Sequence, residues 1–255
     1  MDRKTILMLP GLLNDATLYE NQVSALADVA KCTVGDLTRS STIADMADDV
    51  LAAAPETPFV LVGMSMGGYV ALEIMRRAPK RVSALALLDT SARPDTEEAT
   101  AGREALIARG KTEFPKVVEA LLAKLALPDH ADTPEVGSAF QSMAISVGYE
   151  VFVQQQRAII GRPDSRPSLA AIRCPTLIVC GADDSLTPPE VHKEMAEAIP
   201  GARLEIIPEC GHLSPLEQPD KVTAILRDWL QSLPPEKGGE PIPGAGDGVD
   251  SGEPR

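Results

Sequence analysis

The chain has 255 residues, 44% of them hydrophobic, which is enough for one sizeable α/β domain or two small ones. A formal net charge of −13, with no basic cluster interleaved with aromatics, argues against a nucleic-acid partner, because phosphates would repel such a chain. No apolar run reaches membrane-spanning length, and Met1 to Thr5 leads into a strand without the apolar core of a signal peptide, so a cytoplasmic protein with no membrane partner is expected.

Lys4 to Leu9 reads as a strand that ends in the turn Pro10-Gly11-Leu12-Leu13-Asn14-Asp15. A helix follows through Leu18, Val23, Leu26 and Ala27, then a short strand near Cys32 to Val34. Ser41 or Thr42 caps the next helix, which carries Ile43, Met46, Ala47, Val50 and Leu51 on one face and is stopped by Pro55 and Pro58. Phe59 to Val62 is continuously apolar, as a strand covered on both faces must be, and Tyr69, Val70, Leu72, Ile74 and Met75 resume helical spacing. Between them lies Gly63-Met64-Ser65-Met66-Gly67, a G-x-S-x-G. Glycines on both sides of a sharp strand-to-helix turn leave room for Ser65 to project its hydroxyl, so Ser65 is the candidate nucleophile.

Pro79 ends that helix, and Val82 to Leu88 is again a strand, closing on Asp89. From Arg93 to about Ala171 only helical spacing is found, in segments 99–109, 114–125, 136–147 and 149–160. The sheet resumes at Pro175 to Gly181, a helix covers Pro189 to Ile199, Arg203 to Ile207 is the last strand, and Val222, Ile225, Leu226, Trp229 and Leu230 mark a final helix. Residues 234–255 are rich in Gly, Pro and acidic residues without apolar periodicity and are expected to form a disordered tail. The alternation implies a doubly wound, mostly parallel sheet of about six strands with chemistry at the strand carboxyl ends. The expected division is a core of 1–92 and 172–233, with 93–171 as a helical cap inserted after the fourth strand.

A serine nucleophile needs a base, and histidine oriented by a carboxylate is the usual one. Of the three histidines, His192 lies among Glu190, Lys193 and Glu194 and is expected at the solvated surface, and His130 is expected in an exposed cap loop. His212 follows Gly211 in a loop just past the last strand, on the same sheet edge as Ser65. The loop after Gly181 offers Asp183 and Asp184 as the carboxylate, with Asp89 in reserve. Cys32, Cys174, Cys180 and Cys210 form no closely spaced disulfide framework and read as reduced thiols. A zinc site from Cys174, Cys180, Cys210 and His212 is conceivable on residue type, but the C-x-x-C spacing is absent, and no metal is expected.

The motifs Gly63-Met64-Ser65-Met66-Gly67-Gly68, Gly181-Ala182-Asp183-Asp184-Ser185-Leu186-Thr187-Pro188 and Gly211-His212-Leu213-Ser214-Pro215-Leu216-Glu217-Gln218-Pro219 closely resemble those of the α/β-hydrolase fold superfamily. The resemblance spans Lys4 to Leu233, and the chain order Ser, Asp, His is the family's. It implies Ser65 as nucleophile, Asp184 as acid, because it holds the G-x-x-D-x-x-x-P position, and His212 as base. It implies an oxyanion hole from the backbone N–H groups of Met66 and Leu12. In two respects the chain departs from many relatives: Pro10 stands where they have a histidine, and the usual antiparallel hairpin at the start is missing. The function implied is a serine hydrolase without a cofactor, cleaving a small-molecule acyl substrate (ester, lactone or thioester) through an acyl-enzyme. Alternatives are a cofactor-independent haloperoxidase or oxygenase, or a non-catalytic ligand-binding member. Phe140, Met143, Tyr149 and Phe152 are candidates to line an apolar pocket, and Arg157 to hold a substrate carboxylate. The oligomeric state is left open by the sequence.

Overall fold

The computed structural model describes residues 3–234, so the expected tail lies, but for Pro234, outside the described residues. Six strands form one sheet: β1 Lys4–Leu9, β2 Ala30–Val34, β3 Phe59–Met64, β4 Val82–Leu88, β5 Thr176–Gly181 and β6 Arg203–Ile207. Their order is β2-β1-β3-β4-β5-β6, and every pairing is parallel rather than only most of them. The chain steps from β1 to β2 on one side and then crosses to β3 on the other, so the winding reverses between the carboxyl ends of β1 and β3. In open α/β sheets a ligand crevice forms at that reversal.

Both faces of the sheet are covered, which explains the unbroken apolar runs of β3 and β5, buried at every residue. Successive strand side chains point to opposite faces. Ile6, Met8, Val60, Val62, Ala86 and Val179 share one cluster with Leu26 and with Trp229 and Leu230 of the last helix. Leu7, Leu9, Leu61, Leu85, Leu87 and Ile178 share the other with Met46, Val70, Ile74 and Met195. The main helices are α1 Glu20–Ala25, α2 Ile43–Ala53, α3 Met66–Arg77, α4 Glu97–Leu125, α5 Ala139–Ile160, α6 Pro189–Ala198 and α7 Pro219–Ser232. Thr42 caps α2 by accepting from Asp45 N–H at 3.0 Å while its hydroxyl donates to the Asp45 carboxylate at 2.7 Å.

Between β4 and β5 the described chain forms helices and no strand. The helix α4 kinks at Glu113 (φ −133°, ψ 40°), two residues before Pro115, whose ring and missing N–H interrupt the helical ladder. The helix α5 breaks at Gly148, whose φ of 84° suits only glycine. These two breaks fall at the ends of the helical segments read from the sequence. The helices α4 and α5 pack together through Phe114, which meets Tyr149 edge-on at 5.8 Å and Phe152 at 5.6 Å between ring centroids.

Candidate active site

The turn between β3 and α3 is tight enough to dictate its residues. A side-chain carbon at Gly63 would lie 2.5 Å from Gly67 O, and one at Gly67 would lie 2.2 Å from Leu9 O. Glycine at both positions lets α3 start directly against the end of β1. Ser65 takes φ 51° and ψ −116°, a conformation costing about 1–3 kcal/mol for a residue with a Cβ. Its main chain is held in place: the N–H donates to Leu88 O at 3.0 Å, and its carbonyl accepts from Thr90 Oγ1 at 2.7 Å.

Ser65 Oγ lies 2.9 Å from His212 Nε2, and His212 Nδ1 lies 2.8 Å from Asp184 Oδ2. Asp184 also accepts from the Leu186 and Thr187 N–H groups, both at 2.9 Å, and from the Thr187 hydroxyl at 2.7 Å. Burial pushes the Asp184 carboxyl up, but His212 and these hydrogen bonds outweigh it, and the group ends below its ordinary value. An ionised carboxylate only accepts, so Nδ1 carries the ring proton and Nε2 keeps a lone pair for the serine hydroxyl. Burial pulls the His212 imidazolium down, yet the nearby Asp184 carboxylate holds it above the ordinary 6.5. The next residue along, Asp183, is exposed, and its N–H donates to Cys210 O at 2.9 Å.

Two buried side chains that the sequence reading passed over fix the loops around this line. Glu217 accepts from the N–H groups of Gly211 and Leu213, on either side of His212, at 3.1 and 3.0 Å. It also reaches the helical segment between β4 and β5, with Leu127 N at 3.0 Å and His130 Nδ1 at 2.9 Å. The His212 N–H itself donates to Leu125 O, at the end of α4, at 2.7 Å. From α5, Gln155 accepts from the Leu13 N–H at 2.9 Å and donates to Leu37 O at 3.2 Å, pinning the turn after β1 where Leu13 has φ 60°. Leu12 in that turn lines the cavity beside Ser65, and Met66 opens α3, where an amide lacks an intrahelical acceptor. Sequence spacing contained a partial signal for Glu217, five residues after His212 in a Pro-bounded turn, and none for Gln155.

The three histidines separate by burial. His192 is fully buried rather than solvated, its Nε2 accepting from the Thr90 N–H at 2.9 Å; its neighbours Glu190, Lys193 and Glu194 lie on the outer faces of α6, while Val191, His192 and Met195 face inward. Burial brings its pKa down to about 4. His130 sits in the short helix Pro128–Ala131 and is half-buried against Glu217 rather than in an exposed loop. Asp89 is fully buried with φ 45° and ties two loops, accepting from the Gly181 N–H at 3.1 Å and the Ser214 hydroxyl at 2.5 Å.

A cavity of about 580 Å³ opens over this line and is bounded by Leu12, Ser65, Tyr69, Leu106, Leu125 and His212 among others. None of Phe140, Met143, Tyr149, Phe152 and Arg157 lines it. Phe140, Met143 and Phe152 are buried in the cluster that also holds Val60, Val62 and Trp229, the Tyr149 hydroxyl donates to Ile107 O at 3.0 Å, and Arg157 is exposed. Helical spacing of aromatics signals burial without saying against what. The polar lining includes Arg103, Gln156 and Asn14, with Thr96, Glu98, Lys124 and Ser185. Among the described residues no three His, Cys, Asp or Glu side chains gather to hold a metal ion. The four cysteines are free, and burial pushes the Cys180 and Cys210 thiols up, which keeps them protonated. Among the described residues no helix is long and apolar enough to cross a membrane.

Residues 7–225 match the model of the alpha/beta hydrolase family. The chain belongs to that family. It is 33% identical over 208 residues to a Klebsiella pneumoniae protein named as carbamate hydrolase RutD, covering 79% of this chain and 77% of the relative. A pimeloyl-[acyl-carrier protein] methyl ester esterase of Neisseria meningitidis is 28% identical, with 78% and 66% covered. The solved structure of a thermophilic esterase from Thermogutta terrifontis superposes with a TM-score of 0.82 at 32% identity, covering 90% of each chain. The protein is thus an enzyme, a hydrolase of the α/β fold.

Proposed function

We propose that this family member cleaves a small carboxylic ester, lactone or thioester through an acyl-enzyme, with a core of 1–92 and 172–233 and a cap of 93–171. The observation that carries the reading is the continuous hydrogen-bonded line from Ser65 Oγ through His212 to Asp184 at the floor of the cavity. Ser65 Oγ attacks the substrate carbonyl carbon while its proton passes to His212 Nε2. The carbonyl oxygen becomes an oxyanion and is met by the N–H groups of Met66 and Leu12, the former at a helix N-terminus. Asp184 stabilises the imidazolium. His212 then returns the proton to the departing alkoxide or thiolate, leaving an ester on Ser65. A water molecule, deprotonated by His212, attacks that ester, so one water is consumed and one acid and one alcohol or thiol are released. The chemistry needs no cofactor. The free cysteines favour a cytoplasmic enzyme.

The test is turnover of p-nitrophenyl acetate and butyrate by the wild type and by Ser65→Ala. We expect the variant to fall by about ten-thousandfold or more with an unchanged thermal melt. Wild-type rates in Ser65→Ala would contradict the reading.

A further inference from the structure

The cavity beside Ser65 has apolar surface for a chain, from Leu106, Leu121, Leu125 and Ile159, but also a polar patch that hydrolysis of a plain ester does not require. Arg103, on α4, points its Nε at Asp95 at 3.2 Å and donates from Nη1 to Gln156 Oε1 at 2.8 Å. Guanidinium nitrogens only donate, so the atom of the Gln156 amide facing Arg103 is the oxygen, and the NH₂ is turned the other way. That Nε2 has no partner although Gln156 is completely buried in the cavity wall. Asn14 Nδ2, in a side chain 3% exposed, also lacks one. Buried donors in folded proteins are nearly always satisfied, so two orphans in one cavity wall point to a ligand that supplies oxygen acceptors.

Charge narrows the ligand further. The Asp95 carboxylate is shared by two guanidiniums, Arg103 and Arg162, the latter at 2.7 Å. These three side chains are 2%, 15% and 8% exposed, so the cluster holds one uncompensated positive charge largely out of water. Arg162 is stacked on the Tyr69 ring at 4.5 Å, which leaves Arg103 as its cavity-facing member. The other charged lining residues are one acid, Glu98, and one base, Lys124, which together add no formal charge. In a chain of net charge −13, a buried excess cation beside a reactive serine is a specific feature.

On the basis of the hydrolase reading, we propose that the substrate carries a second, ionised carboxylate, accepted by Arg103 and Gln156 Nε2: a half-ester of a dicarboxylic acid or a lactone bearing a free carboxylate. Asn14 lies at the reactive end, since a carbon built on Gly11 would be 2.8 Å from Asn14 Oδ1 and 3.3 Å from Ser65 Cβ. Its amide therefore serves the scissile group, and the Arg103–Gln156 pair serves the distal carboxylate. A guanidinium fork matches a planar carboxylate, and one charge-assisted contact corresponds to roughly 10- to 100-fold in affinity.

The experiment compares mono-p-nitrophenyl glutarate with its methyl-capped counterpart, p-nitrophenyl methyl glutarate, which differs only in charge at the distal end. We expect the wild type to favour the free acid by about tenfold or more in kcat/KM. Arg103→Met should remove most of that preference, lowering it roughly tenfold, mostly through KM, and Gln156→Met should lower it roughly threefold, with turnover of the capped ester reduced about threefold at most. Turnover of both esters without preference in the wild type, or equal losses on both in Arg103→Met, overturns the inference and leaves the hydrolase reading standing. If Arg103→Met does not fold, the ratio in Gln156→Met decides. No turnover of either ester and no fluorophosphonate adduct on Ser65 would instead sink the hydrolase reading, and this inference with it.

Discussion

Asp89 and Asp184 are both buried at strand ends near His212, and their surroundings drive them in opposite directions. Asp184 gains from His212, Thr187 and two backbone amides and is held below the ordinary carboxylate value. Burial and the negative charge of Asp184 push Asp89 above the ordinary carboxylate value. The Asp89 oxygens are engaged by Gly181 and Ser214, and the carboxylate on His212 Nδ1 is that of Asp184. We therefore expect Asp184→Asn to lose roughly a thousandfold or more in kcat, because the imidazole is left in the wrong tautomer. Asp89→Asn keeps the size and touches no hydrogen bond to His212, so it should cost about tenfold or less, and Asp183→Asn less still. The sign of the pH dependence follows from the same charges. His212 acts as a base only when neutral, and its pKa is raised above 6.5, so activity should fall as pH drops through a midpoint above 6.5. With Asp184 gone, burial dominates and the residual activity should titrate at lower pH. An unmoved midpoint, or a crippled Asp89→Asn, would contradict this assignment. Of these residues, Ser65, Asp184 and His212 were legible because glycines and a proline at set distances define tight turns. His192 was misplaced because its polar neighbours in sequence lie on the outer faces of α6; the inward spacing of Val191, His192 and Met195 was the signal available.

At the scale of elements, the loops around the site are held by buried polar side chains rather than by the sheet ladder. Glu217 joins the His212 loop to the end of α4 through four acceptor contacts. Hydrogen bonds to a charged group are worth about 1.5–3 kcal/mol each, and replacing a carboxylate oxygen by NH₂ sets a donor against backbone donors. Glu217→Gln should therefore cost roughly 3 kcal/mol of stability and lower kcat by about tenfold or more while Ser65→Ala alone leaves stability intact. Urea denaturation checks this, and an unchanged midpoint would show that the four contacts are dispensable. The elements themselves were readable in order, down to the helical breaks at Glu113 and Gly148, because Pro115 and Gly148 interrupt the periodicity locally. The cavity lining was not readable. Arg103 sits in a helix with exposed charged neighbours, Glu104 and Arg109, and only the packing of α4 on α5 turns it toward Gln156.

Over the whole molecule, burial of one histidine sets part of the response to acid. His192 has a folded pKa of about 4 against 6.5 in an open chain. Between these values the unfolded chain binds a proton that the folded protein does not, so stability is present above 6.5 and is lost as pH falls toward 4. The shift corresponds to about 3 kcal/mol in full. His212 acts in the opposite sense, so the contribution is isolated by comparing the wild type with His192→Gln. The drop in urea midpoint from pH 7 to pH 5 should be clearly smaller in the variant, and an equal drop in both would contradict the buried, neutral state of His192. The two-sided core follows from strands such as β3 and β5 that are apolar at every position, which the sequence displays, whereas the order of the strands is written in no single strand. The fully parallel pairing follows from helices between successive strands.

We propose Ser65 as the nucleophile of a hydrolytic site completed by His212 and Asp184. This role is tested most directly by treating the wild-type protein with a fluorophosphonate, digesting it and locating the adduct by mass spectrometry. A single adduct on Ser65, formed in parallel with loss of esterase activity and strongly slowed in Asp184→Asn, is the result predicted. An adduct on another residue, or full inactivation with Ser65 unmodified, would contradict it.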